Sequence, residues 1–415
     1  MYVEKEEKIL KNQSSNSSLN ILFIIFIFFG IAYTVIDPLI PILSEKLKIG
    51  YDKIGLILFL SSTISLVSTF IAGRLSDKYN LKRIILSGLI ILATGFLIFG
   101  IYISLFVLII SLIFLRLGCG ILDSGIHTYI TKMFDANCSP VFIKLDFFWY
   151  IGAVLGPLGI SIFLFLNLEI KFIFIFFFVV IFFMTFLFLK LCHDISGCNL
   201  NLRDKKSQNS FQKNNNRLLS YKEVLRNKVI MLCCAGLFFN IGIFSILSIW
   251  LTTYFSSFNI PISFGSAFLT IFWVFNSIGV IISGQLVKKI SELKLLFIFS
   301  IIGCISTILY SISQIVCLKL FFLIIQAMSY PSFFPILNAI AVEENKKSSG
   351  TILSVTISMS VVGLIFFQLI SGYIMEYYKI LGINVLLIVV SVCCFIIILI
   401  LFRVKLKAIK AANLS

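Results

Sequence analysis

Asp37, Arg116 and Asp123 fall inside long apolar stretches of the chain, and Asp146 stands at the entrance to another. If those stretches cross a bilayer, an ionised group near its centre costs about 2.5–3.5 kcal/mol on insertion scales, so each needs a reason to be there. Arg116 and Asp123 are seven residues apart, about two helical turns, and share one face. Two chemistries are open to them. One is a purely structural buried ion network. The other is a proton relay, in which a carboxyl group inside the membrane loads and releases H⁺. Asp123 is the first candidate carrier and Asp37 the second. Asp37 precedes Pro38, with Pro41 one turn later, a pattern that predicts a kinked helix with freed backbone polar groups. His127 lies four residues after Asp123 on the same face, where it can tune the carboxyl group, bind a solute or simply be solvated.

A second set consists of polar or amphipathic side chains inside apolar stretches: Trp149, Tyr150, Asn240, Trp250, Trp273, Asn276, Gln326 and Asn338. Aromatic faces combined with amides suit sugars and other polyols, so these residues, with His127 and Asp146, form the expected solute-contacting set. Trp250 and Tyr254 also fit an interfacial belt. The sequence offers little for other chemistries. No G-x-x-x-x-G-K-[ST] loop occurs, which argues against ATP hydrolysis. With His127 and His193 the only histidines, neither an enzyme nor a cofactor or metal centre is expected. Cys192, His193 and Cys198 are close enough to raise a metal site, but two thiols and one imidazole in a polar linker read more simply as linker. Cys119, Cys233, Cys234, Cys304, Cys317, Cys393 and Cys394 lie in or beside apolar stretches as small hydrophobes.

The elements that must position these residues are membrane helices. The chain divides into twelve apolar segments, 19–43, 54–75, 84–103, 105–129, 147–166, 172–191, 229–255, 264–287, 295–313, 318–342, 351–375 and 380–402. Each approaches or exceeds the roughly 20 residues needed to cross about 30 Å of hydrocarbon. Hydrophobic residues make up 60% of the chain and charged residues 13%, which excludes an ordinary soluble domain. The net charge of +16 does not indicate a nucleic-acid partner, because the basic residues flank the segments instead of covering one face. They read as topology determinants and as partners of anionic lipid headgroups. Of the 34 Lys and Arg residues, only Lys46, Lys48, Lys53, Lys171, Lys319 and Lys379 fall on the outer side, with Arg116 inside a segment. The positive-inside rule then puts both termini in the cytoplasm, with the plasma membrane the expected location. The first segment lacks the cationic start and cleavage site of a signal peptide and is expected to be a permanent helix. The expected domains are a cytoplasmic segment 1–18, a six-helix half 19–191, a basic linker 192–228, a second six-helix half 229–402 and a tail 403–415.

Two six-helix halves joined by a basic loop form the layout of the major facilitator superfamily. The loop after the second segment, Gly73-Arg74-Leu75-Ser76-Asp77-Lys78-Tyr79-Asn80-Leu81-Lys82-Arg83, resembles that superfamily's G-x-L-a-D-r-x-G-r-k signature. Gly73 permits close helix approach, Asp77 can cap or pair at a cytoplasmic gate, and Arg74 and Arg83 hold the loop at the membrane surface. Asn80 replaces the second glycine, which a left-handed backbone would tolerate. Gly284-Gln285-Leu286-Val287-Lys288-Lys289 is a weaker internal copy without the acid.

Further stretches resemble the fucose permease and glucose–proton symporter branch. They are Leu117-Gly118-Cys119-Gly120-Ile121-Leu122-Asp123, Gly152-Ala153-Val154-Leu155-Gly156-Pro157, Gly242 with Trp250-Leu251-Thr252-Thr253-Tyr254, and Pro331-Ser332-Phe333-Phe334-Pro335. Phe244 and Val280 depart from that branch by removing an acid and an Arg. The resemblance implies an all-α integral membrane fold with twelve transmembrane helices. It also implies a monomeric, proton-coupled secondary transporter of a small polar solute, with a sugar or related metabolite the first expectation, working by alternating access. The charge losses favour an exporter of drugs or amphipathic metabolites as the alternative, and a non-transporting sensor or scaffold is a third reading.

Overall fold

A computed structural model describes residues 2–134, 139–191, 221–345 and 348–412, and among them every regular element is helical. In chain order they are α1 (Tyr2–Thr34), a 3₁₀ turn (Asp37–Leu39), α2 (Ile40–Leu47), α3 (Tyr51–Lys78), α4 (Leu81–Ile101), α5 (Leu105–Phe134), α6 (Ser139–Phe165) and α7 (Ile170–Leu191). There follow α8 (Tyr221–Arg226), α9 (Lys228–Ser256), α10 (Ile262–Leu286), α11 (Glu292–Ile312), α12 (Val316–Ser329), α13 (Phe333–Glu343) and α14 (Ser349–Ala412). Among the described residues, eleven continuous stretches are long and apolar enough to span a bilayer. The longest, Thr351–Lys407, is divided by Lys379 at φ 52° and ψ −148°, which restores the twelve segments of the sequence reading.

Local breaks follow from proline and polar chemistry. Pro38 has no N–H and fixes φ, so the first span bends through the 3₁₀ turn at Asp37. Pro331 likewise interrupts the tenth span between α12 and α13. Asn80 is extended (φ −65°, ψ 120°), not left-handed as the sequence reading allowed. Its side chain caps α4 by accepting from the Lys82 amide at 2.9 Å.

The chain forms two compact units. Unit 1 comprises Met1–Leu39 and Leu60–Asn215, and unit 2 comprises Ile40–Phe59 and Asn216–Ser415. In unit 1, α1 and α6 cross where Gly30 faces Gly152; a methyl group on Gly152 would lie 3.0 Å from the Gly30 Cα and 2.8 Å from the Ile27 carbonyl carbon. Small residues let membrane helices approach this closely. Thr34 ties the same crossing by donating to the Gly30 carbonyl at 3.1 Å and the Ala153 carbonyl at 3.3 Å.

Unit 2 contains the first turns of α3, which the sequence reading assigned to the first half. A methyl group on Gly55 would lie 2.8 Å from the Gly372 Cα, and the Tyr51 amide donates to Glu376 Oε2 at 2.7 Å. Trp250 joins this region edge-on to Tyr51 at 5.4 Å and donates through Nε1 to Ser371 Oγ at 2.8 Å.

Candidate functional site

The interior of unit 1 gathers chemistry from four helices. Asp123 and His127 are one turn apart on α5. His127 Nδ1 is 3.0 Å from Asp123 Oδ1 and 2.8 Å from the Asp123 carbonyl oxygen. With the carboxylate ionised, both neighbours are acceptors, so Nδ1 carries a proton and donates it, leaving Nε2 as the nitrogen that exchanges one. The imidazole is held by Phe26 of α1 (5.8 Å between ring centroids) and Phe142 of α6 (5.0 Å). Asp146, one turn further along α6 than Phe142, lies within electrostatic reach of both His127 and Asp123. Here the structure brings together three residues that the sequence singled out separately.

Arg116 takes a different partner. Its guanidinium carbon sits 3.9 Å from the centroid of the Tyr33 ring, and the residue is 3% exposed. Asp123 is engaged by His127, and among the described residues no ion pair joins it to Arg116. The shared helix face therefore did not become a shared salt bridge. Tyr33 is fixed by an oxygen–oxygen hydrogen bond to Ser65 of α3 at 2.9 Å and by the edge of Trp149 of α6 at 6.5 Å. Trp149 in turn meets Tyr150 edge-on at 5.3 Å. Asp37 is 4% exposed and opens the 3₁₀ turn.

The remaining candidates lie in unit 2 and fall into two groups. Asn240 and Gln326 are fully buried, and among the described residues neither amide has a hydrogen-bonding partner; Asn276 donates to the Phe272 carbonyl at 2.8 Å, and its oxygen has no partner among them. Trp273 stacks on Phe244 at 6.4 Å. By contrast, Asn338 is committed within the fold: it donates to the Phe334 carbonyl at 2.9 Å and accepts from Thr356 Oγ1 at 2.6 Å. Trp250 is similarly spent on Ser371, and Trp250 and Tyr254 are both buried, not arranged as an exposed interfacial belt.

The family model of the Major Facilitator Superfamily matches residues 22–356, most of the chain. The chain belongs to that superfamily. Its function is therefore a transporter's and not an enzyme's, and it is an integral, multi-pass membrane protein. Among curated proteins no sequence matches. Solved structures supply the fold likeness at low identity. A peptide transporter POT solved with sulfate is 13% identical, with 94% of each chain covered and a TM-score of 0.72. A bacterial homologue of the human lysosomal transporter Spinster, inward-facing and unoccupied, is 12% identical, covering 95% of this chain and 98% of that one at a TM-score of 0.72. A POT family transporter solved with 5-aminolevulinic acid is 15% identical, covering 94% and 96% at 0.69.

In this superfamily member the signature loop lies at the C-terminal end of α3. Arg74 and Arg83 are exposed, and a methyl group on Gly73 would meet Ser124 Oγ at 3.3 Å, a tight contact that the Ser124 side chain would have to relieve. The Asp77 side chain, and Cys192, His193 and Cys198, lie outside the described residues. One further buried charge lies in unit 2. Lys319, counted in the sequence among the outer-side basic residues, is 1% exposed. Its Nζ donates to Tyr254 OH at 2.5 Å and to the Tyr310 carbonyl at 2.9 Å. The rings of Tyr254, Tyr310 and Phe258 surround the ammonium group at 4.8, 5.2 and 5.5 Å. Buried charge is thus not confined to the first half. The signal was present: Lys319 stands between Cys317-Leu318 and Leu320-Phe321-Phe322, an unbroken apolar run.

Proposed function

We propose that this Major Facilitator Superfamily member is a proton-coupled secondary transporter of a small polar solute, in the plasma membrane with both termini cytoplasmic. The observation that carries the coupling is the Asp123–His127 pair at 3.0 Å, with Asp146 beside it. A proton taken up at His127 Nε2 makes an imidazolium whose charge the Asp123 carboxylate balances through Nδ1–H. Its release restores the starting state. Proton uptake therefore changes the charge at this site, which is what coupling to an alternating-access cycle requires. Asp37 remains the second candidate carrier.

Within unit 1, the aromatic cluster of Tyr33, Trp149 and Tyr150 offers ring faces to the solute. The fucose-permease-like stretches make a sugar or related metabolite the first solute to test. The fold neighbours solved with sulfate and with 5-aminolevulinic acid add small charged solutes to the set. The Phe244–Trp273 stack, where the branch carries an acid, favours export of amphipathic metabolites as the second reading.

The test is Asp123→Asn in proteoliposomes, with melting temperature, counterflow and uptake driven by a pH gradient measured on one preparation. Asn keeps the shape of the carboxyl group but carries no negative charge to balance an imidazolium at His127. The expected result is a stable protein with counterflow intact and pH-driven accumulation lost. A stable variant that still concentrates its solute would exclude the Asp123 carboxylate from the coupling.

A further inference from the structure

We infer that Arg116 is an anion-binding group of the transport site in unit 1, and that the solute carries a carboxylate or similar oxyanion. This rests on the transporter reading above and narrows its solute class. The guanidinium is a cation almost wholly withdrawn from solvent, at 3% exposure. A buried charge ordinarily has an ionic partner. Among the described residues the side chain lacks one: Nε and Nη1 have no acceptor there, and Nη2 makes a 3.5 Å contact with the Tyr33 carbonyl oxygen. The nearest acid on its own helix face, Asp123, is held by His127.

The surroundings orient the group without neutralising it. The Tyr33 ring covers one face of the guanidinium plane at 3.9 Å, and the hydroxyl of that ring is anchored on Ser65. With Tyr33 against the guanidinium carbon, the Nε and Nη1 N–H groups are left for a ligand. A planar oxyanion can be taken across Nη1 and Nη2 by two parallel hydrogen bonds, the geometry in which Arg recognises carboxylates. A neutral polyol has no need of a fixed, unpaired cation at this depth, whereas an organic anion would supply the missing charge.

The experiment is thermal unfolding of the purified full-length protein with paired probes at constant ionic strength: D-gluconate against D-glucose, glutarate against 1,5-pentanediol, 5-aminolevulinate against its methyl ester, and inorganic sulfate. Ligands that bind the native state raise the melting temperature by mass action. At least one anionic member should stabilise the wild type while its neutral partner does not. Arg116→Gln should abolish that shift. Arg116→Lys, which keeps the charge but loses the planar fork, should weaken it by at least about tenfold in the concentration required.

Equal shifts with neutral and anionic partners, no shift with any anion, or an anion shift retained in Arg116→Gln would each overturn the assignment. Should Arg116→Gln not fold, the Arg116→Lys titration decides alone, and an unchanged midpoint there overturns it. Melting reads binding and not flux, so the two readings fail separately. An Arg116-dependent anion shift without flux upholds this site. Proton-driven flux of a neutral solute without an anion shift upholds transport and overturns the site.

Discussion

Gly152→Ala is the sharpest structural perturbation of unit 1. The new methyl group would lie 2.8 Å from the Ile27 carbonyl carbon and 3.0 Å from the Gly30 Cα, against 3.4–4 Å for ordinary contact. Both neighbours are backbone, so no side chain can rotate away. The α1–α6 crossing must open by roughly 0.5–1 Å or tilt to restore van der Waals separation. Overpacking of this kind costs about 1–3 kcal/mol. For a cooperative unit of 150–250 residues that corresponds to a fall in melting temperature of roughly 2–12 °C. The displacement also moves Trp149 and Ala153 relative to Tyr33 and Thr34, so transport should fall more than the residual folded fraction explains. Gly30→Ala should do the same, and the double variant should cost less than the sum, because one opening of the crossing serves both methyl groups. Gly284→Ala is the control: a methyl group there meets nothing within 4 Å. The assay is melting of the purified variants by size-exclusion-monitored aggregation, with transport measured on matched protein. Gly152→Ala melting with the wild type, or no lower than Gly284→Ala, would refute the close crossing.

Tyr254→Phe strips the Lys319 ammonium of its shortest hydrogen bond and should cost about 1–3 kcal/mol in a melting assay. Adding Lys319→Met should recover part of that loss, since the buried charge then leaves with its partner; a further loss in the double variant would contradict the caged-cation assignment. In a background with the other cysteines replaced, a cysteine at Asn259 should react with an impermeant maleimide from outside and one at Lys289 only from inside; the reverse pattern would invert the topology. Asp77→Asn should slow turnover more than it weakens solute binding, and normal turnover with weakened binding would remove Asp77 from the gate.

What was legible in the sequence follows the length scale of the forces involved. Hydrocarbon thickness sets segment length, so the twelve spans could be read from apolar runs, and even the division at Lys379 inside α14 was placed correctly. Proline chemistry marked the bend at Asp37-Pro38. Side-chain pairing was less legible, because it depends on rotamers and on residues distant in the chain. The spacing of Arg116 and Asp123 placed them on one face, but Tyr33, over eighty positions earlier, captured the guanidinium, and His127 captured the carboxylate. The burial of Lys319 was hidden for a related reason: near the end of an apolar segment it reads as a surface charge, and the rings of Tyr254, Tyr310 and Phe258 enclose it. Asn240 and Asn338 looked equivalent as buried amides; Thr356 distinguishes them, by satisfying one and not the other.

The claim that proton movement is tied to solute movement through the Asp123–His127 pair is tested most directly by proton flux itself. Proteoliposomes loaded with a pH-sensitive dye, at matched internal and external pH, would be exposed to the solute that gives the largest melting shift. The account predicts a solute-dependent pH change in the lumen for the wild type, absent in Asp123→Asn although solute exchange continues. Solute entering the wild-type vesicles with no accompanying pH change would contradict it.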